Sequence, residues 1–136
     1  MQKLLTIIFV FSLCNCGITQ KGDFSKLCVS DSAFNEVQIV SFEDIYANKN
    51  LEGKKVKIAG ILHYYFEDVS ICPSKYSSPN KSVWLNFSEK IVVFNEQLTK
   101  LNGSYIEVIG TVNFSEKGYY SSYIASLTNV YCIKLK

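Results

Sequence analysis

The sequence predicts an all-β protein built around a small closed barrel of five strands, and three observations lead to that prediction. The 136 residues contain nine Phe and nine Tyr beside abundant Val and Ile, which favour strands. A motif that starts at Leu51, Leu-x-Gly-x-x-Val-x-Ile-x-Gly-x-Leu, returns from Leu101 as Leu-x-Gly-x-x-Ile-x-Val-x-Gly-x-Val. Each copy predicts a turn and then a strand with an internal glycine, which marks a bend that helps a small sheet to close.

The first residues predict an export signal. Met1–Lys3 is a short positive start, and Leu4–Leu13 is an unbroken apolar run of signal-peptide length, too short for a membrane span. We assign residues 1–19 to the signal. Cys16 resembles the cysteine of a lipobox and is the lipidation candidate, with ordinary cleavage near Gly17–Gln20 as the alternative. The expected location is therefore periplasmic, secreted or lipid-anchored to the envelope, with membrane contact only through such an anchor.

The segment after the signal, residues 20–36, is polar without a clear period and predicts a linker or N-terminal extension. Residues 37–136 are expected to form one barrel domain. It begins with a short strand at Val37–Val40. A short helix follows from Ser41, which is a favourable N-cap with acidic residues in the next turn.

The first half of the domain predicts three strands. Val56–Phe66 is the first, with a core face made by Val56, Ile58, Gly60, Leu62, Tyr64 and Phe66. Glu67-Asp68 is the expected turn into Val69–Cys72, the second strand. Pro73–Lys81 holds both prolines of the chain and predicts a surface loop. Val83–Phe87 is the third strand.

The second half predicts a helix and two strands. Asn95 starts the helix and Gly103 ends it. Tyr105–Phe114 is the fourth strand, and Tyr119–Leu135 is the fifth. The resulting order, β-β-β-α-β-β preceded by a short helix, is that of a five-stranded OB-fold barrel, in which the helix between strands three and four closes one end.

Several stretches contain more specific combinations of residues than a strand pattern alone requires. They are Gly60-Ile-Leu-His-Tyr-Tyr-Phe-Glu, Ile71-Cys-Pro-Ser, Val83-Trp-Leu, Val108-Ile-Gly-Thr-Val, Gly118-Tyr-Tyr and Tyr123-Ile-Ala-Ser-Leu-Thr-Asn-Val. Together they resemble a family of small, exported, functionally uncharacterised bacterial proteins with an OB-like barrel. The resemblance spans roughly residues 41–133. It implies the fold and the export of the chain, and no activity.

The charge argues against nucleic acid as a partner. A formal net charge of +2 comes from fourteen Lys and no Arg. Arg supplies the bidentate contacts to phosphate and guanine that Lys replaces only as a point charge. We therefore expect a solvated surface with scattered lysines and no clustered basic patch.

Three cysteines remain after the signal, Cys28, Cys72 and Cys132, and export permits them to oxidise. Because the number is odd, at most one disulfide can form and one thiol is left over. Pairing of Cys28 with Cys132 or with Cys72 is preferred, and the sequence leaves this choice open. The Cys-x-x-Cys spacing is absent, so a zinc ribbon or redox motif has no support.

No group of residues predicts catalysis, and we expect neither enzyme activity, nor a metal, nor a cofactor. His63 is the single histidine and lacks companion ligands. Glu67 and Asp68 are adjacent in a turn, which is a poor arrangement for an acid and base pair. No serine lies in a Gly-x-Ser-x-Gly elbow.

Aromatic residues provide the candidate site. Tyr64, Trp84 and Tyr123 are expected in the core. The candidate ligand-binding residues are Tyr65, Tyr76, Lys117, Tyr119 and Tyr120, since OB barrels bind ligands near the loops between strands one and two and between strands four and five. The prediction is a non-catalytic exported binding module for an unknown small ligand. The alternative is an envelope-associated inhibitor or accessory protein that docks a partner through a strand edge or through Pro73–Lys81.

Overall fold

The computed structural model describes residues 26–28, 36–93 and 95–136. The signal predicted for residues 1–19, the lipidation candidate Cys16 and most of the segment 20–36 lie outside these residues. The described chain forms the following elements: β1 (Lys26–Cys28), β2 (Gln38–Ile39), α1 (Phe42–Ala47), β3 (Lys55–Tyr65), β4 (Asp68–Cys72), β5 (Val83–Phe87), α2 (Asn95–Leu101), β6 (Tyr105–Asn113) and β7 (Ala125–Leu135).

Five of the strands close into a barrel in the order β3-β4-β5-β7-β6 and back to β3. β5 and β7 run parallel, and the other neighbours in the barrel run antiparallel. The two strands with matching glycine motifs lie side by side, with Ile58 opposite Val108. With α2 between β5 and β6, this is the OB-fold order, and the predicted all-β, OB-fold-like barrel is confirmed.

Two short strands extend the barrel sheet. β1 pairs antiparallel with the end of β7, where Cys28 lies opposite Cys132. β2 pairs parallel with the start of β3, where Gln38 lies opposite Val56. The segment that precedes the barrel is thus held against it at two places.

The core fills the inside of the barrel because inward side chains alternate along each strand. The most deeply buried include Ile58, Leu62, Ile71, Val83, Ile106, Val108, Leu127 and Ile133. α1 supplies Phe42 and Ile45 and α2 supplies Leu98 and Leu101 to the same cluster. Both helices therefore cover openings that the strands leave.

Gly60 explains how α1 and β4 approach β3 so closely. A Cβ atom placed on Gly60 would lie 2.6 Å from the carbonyl oxygen of Cys72 and 2.9 Å from Cζ of Phe42. Only a residue without a side chain fits between them.

Both predicted helices form, with the expected signals at their ends. The Ser41 hydroxyl accepts a bond from the Asp44 N–H at 3.0 Å, and the Asp44 carboxylate accepts from the Ser41 N–H at 2.8 Å. These reciprocal bonds make a capping box. The pKa of the Asp44 carboxyl is lowered by the bond from the Ser41 N–H and by a second bond, of 2.9 Å, from the Ser41 hydroxyl. Gly103 follows α2 with a φ of +79°, in the left-handed region that suits glycine.

The hairpin between β3 and β4 differs from the expectation in two ways. Phe66, placed on the core face by alternation, is 78% exposed and has a φ of +57°. The strand ends at Tyr65, which lies opposite Asp68, so the two-residue tip is Phe66-Glu67 and Asp68 belongs to β4. The alternation fails at Phe66 because the chain has already left the sheet.

The last strand also differs from the expectation. It starts at Ala125 rather than Tyr119, and Tyr119–Ser121 forms a 3₁₀ turn instead. Regular alternation then breaks at Asn129, which has a φ of +48° and lies where the pairing of β7 with β5 and with β6 shifts register. This bulge turns Asn129 to solvent while Leu127 and Val130 both remain buried.

Candidate functional site

The loop between β6 and β7, residues 114–124, lies across the outer side of the barrel. Gly118 brings the backbone of this loop into contact with the Trp84 and Tyr123 rings. A Cβ atom on Gly118 would lie 2.6 Å from the Trp84 ring and 2.7 Å from the Tyr123 ring. With φ at +64° and ψ at −154°, Gly118 has a backbone conformation that is essentially restricted to glycine. The loop therefore covers Trp84, which points out from β5.

Trp84 is packed under this loop, and Tyr123, near the end of the loop, packs against it; the sequence placed both inside the barrel. Their rings meet edge to face, with centroids 5.4 Å apart. Tyr64, the third predicted core aromatic, is half-buried against the main core cluster. The predicted burial of Tyr123 is thus correct, but the ring packs against Trp84 and Gly118 rather than in the core of the barrel.

The phenol of Tyr123 joins this loop to the β3–β4 hairpin. Its hydroxyl donates a hydrogen bond of 2.6 Å to the Asp68 carboxylate. Burial first, and then this bond to Asp68, raises the pKa of the phenol far above the ordinary 10.0. The hydroxyl consequently stays protonated and remains a donor across the physiological pH range.

The backbone of the loop is held by several further bonds. The Ser126 hydroxyl donates to the carbonyl of Glu116 at 2.6 Å, and the Tyr123 N–H donates to the carbonyl of Lys117 at 3.1 Å. At the start of the loop, the Phe114 N–H donates to the Glu52 carboxylate at 2.7 Å. Because these bonds order the loop before any ligand arrives, binding there loses less conformational entropy.

All the candidate ligand-binding residues are exposed. Tyr65 is 75% exposed, Tyr120 is 89% exposed and Tyr76 is 90% exposed, while Tyr119 and Lys117 are also open to solvent. The Tyr119 and Tyr120 rings meet edge to face at a centroid distance of 4.7 Å. These side chains are available for contact with a ligand.

A hydrogen bond links the hairpin that carries Tyr65 to the loop that carries Tyr119 and Tyr120. Tyr65 lies opposite Asp68 in the antiparallel ladder, so both side chains lie on the outer face. Asp68 in turn binds Tyr123 of the loop that carries Tyr119 and Tyr120. Tyr76 lies on a different loop, between β4 and β5.

Phe66 is a further exposed aromatic residue, next to Tyr65 at the tip of the hairpin, which the sequence placed in the core. Phe66 and Tyr120 both have positive φ angles, +57° and +52°, although neither is glycine. A left-handed conformation costs a residue with a side chain about 1–2 kcal/mol. Such strain, held by the surrounding structure, is concentrated at functional sites. We call Tyr65, Phe66, Tyr119 and Tyr120 the aromatic face.

A polar groove of about 540 Å³ lies on the other side of loop 114–124. It is formed by the end of β5, the turn after it, the end of β6 and the bulge of β7. Its polar lining includes Asn86, Ser88, Asn113, Glu116, Thr128 and Asn129. The alternation along β5 puts Asn86 on the same outward side as Trp84.

A second cleft, of about 440 Å³ and mainly apolar, lies between α1 and the loop from Pro73 to Lys81. Phe42, Tyr46 and Ile124 contribute to its walls. Glu43 and Lys81 place opposite charges at its rim.

His63 is exposed on the outer face of β3, opposite Ser70. Within the described part of the chain, no group of three His, Cys, Asp or Glu side chains is arranged to hold a metal ion. No helix among residues 26–28, 36–93 and 95–136 combines the length and apolar character needed to cross a membrane.

Cys28 and Cys132 form a disulfide, which is one of the two pairings that the sequence left open. Cys72 is a buried free thiol. The disulfide lies in a small second apolar cluster with Ile109 and Tyr131, on the outside of β6 and β7. It fastens β1 to the last strand of the barrel.

Comparison with known proteins adds little to this description. No protein-family model and no curated protein matches the chain. A solved structure described as an aspartyl-tRNA synthetase from Leishmania major Friedlin is similar, with a TM-score of 0.40 and 12% identity over 80% of this chain. The chain spans 23% of that protein's length, and so distant a similarity supports no statement about function.

Proposed function

We propose that the protein is a non-catalytic binding module, exported to the cell envelope or beyond, which holds its ligand on the aromatic face. The observation that carries the proposal is the exposure of four large aromatic side chains on two adjoining loops. Isolated apolar residues are common on protein surfaces and need no explanation, whereas a group of exposed aromatic residues is typical of an interaction site.

The geometry of the loops supports this proposal. Residues 114–124 and the β3–β4 hairpin are joined by the Tyr123–Asp68 bond, so Tyr65 and Tyr120 are presented from a fixed scaffold. In OB barrels the corresponding two loops border the usual ligand surface. Rigid aromatic side chains offer a large contact area at a low entropy cost.

Retention on envelope material tests the proposal. Purified protein is sedimented with envelopes isolated from the source cells, and the retained fraction is compared for Tyr65→Ala, Tyr120→Ala and Tyr105→Ala. Aromatic stacking contributes about 1–3 kcal/mol per contact, so each of the first two variants should bind roughly tenfold more weakly. Tyr105→Ala is the control, since Tyr105 is an exposed tyrosine on β6 that lines neither the aromatic face nor a cleft. Equal retention of all three variants and the parent protein overturns the proposal.

Export is a separate part of the proposal, supported by the apolar run of Leu4–Leu13. Mass spectrometry of the protein from its natural source tests it. A mature chain starting at an acylated Cys16 indicates a lipid anchor, and one starting near Gly17–Gln20 indicates ordinary cleavage. A chain that keeps Met1 contradicts export.

A second candidate function is that of an accessory protein or inhibitor that docks a partner beside the Pro73–Lys81 loop. The apolar cleft between this loop and α1 favours it, because an apolar side chain of a partner could insert there. A photo-crosslinking residue at position 80, which lines the cleft, should then capture a protein that the same residue at position 54, exposed on the turn before β3, does not. Capture at both positions, or at neither, counts against this candidate.

A further inference from the structure

The polar groove beside loop 114–124 differs from an ordinary small-molecule pocket. Its volume of about 540 Å³ lies within the usual range of roughly 300–1,000 Å³ for ligand sites. Such sites are mostly apolar, however, whereas amide, hydroxyl and carboxylate groups dominate this one. Because little apolar surface can be buried there, a ligand has to gain its affinity from hydrogen bonds.

We propose that this groove binds an uncharged, polyhydroxylated ligand, namely a neutral oligosaccharide. The inference goes beyond the binding function proposed above, because the groove is a separate surface on the other side of loop 114–124 and shares no residue with the aromatic face. Three properties of the groove lead to this class.

The first property is the balance of donors and acceptors. Asn86, Asn129 and Thr128 each carry a group that can both donate and accept a hydrogen bond. A sugar hydroxyl has the same double capacity, so neighbouring hydroxyls can pair with one amide at both its oxygen and its nitrogen. An organic cation offers only donors and a metal ion would bind only the oxygen atoms of these side chains, so neither would pair with the amide N–H groups, whereas a sugar hydroxyl can.

The second property is the charge. Of the residues that the structure describes, Glu89 and Glu116 line the groove together with one cation, Lys90. A phosphate or carboxylate ligand would meet a net negative wall without an arginine to bind it. An uncharged ligand avoids this repulsion and uses the carboxylates as hydrogen-bond acceptors.

The third property is that the backbone fixes two of the amides in advance. The bulge at Asn129, with its φ of +48°, directs outward a residue that regular alternation would have pointed inward with Leu127. The Asn113 amide oxygen accepts the N–H groups of Ser115 and Glu116 at 2.8 Å and 3.0 Å, which orients that side chain. Binding to pre-oriented groups costs less entropy.

The groove and the aromatic face are joined through Trp84. Ser126 lies opposite both Trp84 and Asn113, and its hydroxyl bonds to the carbonyl of Glu116. A ligand in the groove therefore contacts the loop whose Gly118 lies on the Trp84 ring. Since Trp84 is the single tryptophan of the chain, its fluorescence reports on that contact.

The test is a titration of the protein with uncharged tetrasaccharides of glucose and of N-acetylglucosamine, followed by Trp84 fluorescence and by ¹H–¹⁵N NMR. Binding should shift the amide signals of residues 86, 113, 128 and 129. Asn86→Ala and Asn129→Gly should each weaken binding at least fivefold, and glycine at 129 keeps the positive φ. Asn50→Ala, at an exposed asparagine on the 3₁₀ turn after α1, is the matched control and should bind as the parent does.

Several results would overturn the inference. They include tetrasaccharide binding that Asn86→Ala and Asn129→Gly leave unchanged, and groove shifts that appear only with spermidine, calcium or inorganic phosphate. Failure of every tetrasaccharide, combined with envelope retention that is still lost in Tyr120→Ala, removes the oligosaccharide class and leaves the binding function standing. If no tetrasaccharide binds and envelope retention is the same in every variant, both the oligosaccharide class and the proposed binding function are overturned.

Discussion

The hydroxyl of Tyr123 lies 2.6 Å from the carboxylate of Asp68, across 55 residues of sequence. This hydrogen bond connects the loop over the outer side of the barrel with the hairpin that carries Tyr65. The position of the hairpin residues of the aromatic face relative to those on loop 114–124 therefore depends on this bond.

Tyr123→Phe should lower the free energy of unfolding by about 1–2 kcal/mol, because it removes a hydrogen bond to a charged group. Urea unfolding followed by Trp84 fluorescence measures the loss. Tyr65→Phe is the control, since an exposed phenol should change stability by less than about 0.5 kcal/mol. A loss of equal size in both variants contradicts the assigned role of the bond.

The same bond should be sensitive to high pH. The pKa of Tyr123 is raised in the folded state above the 10.0 of a free phenol, so the unfolded chain loses this proton first. The stability from Tyr123 is therefore fully present below pH 10 and is lost as the pH rises beyond it. The difference in unfolding free energy between the parent and Tyr123→Phe should shrink as the pH rises past 10. A difference in unfolding free energy that stays constant above pH 10 would show that folding does not raise the pKa of the Tyr123 phenol.

Gly118→Ala should destabilise the protein by about 3 kcal/mol or more, because the methyl group meets the Trp84 ring and the backbone conformation excludes other residues. Gly103→Ala provides the comparison. Gly103 also has a positive φ, but a methyl group there meets no atom within 4 Å, so its cost should be only about 1–2 kcal/mol. Thermal unfolding measures both, and a shift in Trp84 emission is expected for Gly118→Ala alone. Similar costs and unchanged emission would argue against contact between loop and ring.

Gly60→Ala should cost more stability than Gly110→Ala, although the two glycines occupy equivalent positions in the repeated motif. At Gly60 the nearest atom to a new Cβ is a backbone oxygen at 2.6 Å, whereas at Gly110 the nearest contact is at 3.1 Å. We expect losses of about 3 kcal/mol and about 1 kcal/mol respectively, because backbone cannot move as easily as a side chain. Urea midpoints of the two variants check the order, and the reverse order would contradict the packing of α1 and β4 against β3.

Reduction of the Cys28–Cys132 disulfide should lower the free energy of unfolding by about 2–5 kcal/mol, since the bond closes a loop with a sequence separation of 104. The measurement is urea unfolding with and without dithiothreitol. The double variant Cys28→Ser/Cys132→Ser should start at the lower stability and show no further response to the reductant. A response of the double variant would assign the effect to another cysteine.

Much of the barrel could be predicted from local sequence. The strand Val83–Phe87 and the helix starting at Asn95 lie where the pattern placed them, because side-chain periodicity and glycine stops act over a few neighbouring residues. The two strands predicted from the repeated glycine motif also form, as β3 and β6, and they lie side by side. The candidate site was harder to predict from the sequence than the barrel, since the exposure of a tyrosine side chain depends on which distant residues cover it.

The sequence by itself determined the order of the elements, because turn residues and alternation are properties of short segments. Only the tertiary structure decided that Phe66 leaves the core, that Asn129 turns outward, and that Cys132 rather than Cys72 pairs with Cys28. It also decided that loop 114–124 lies over Trp84. Each of these outcomes depends on contacts or register between residues far apart in the chain, and the energy of such contacts is not encoded in any single stretch of it.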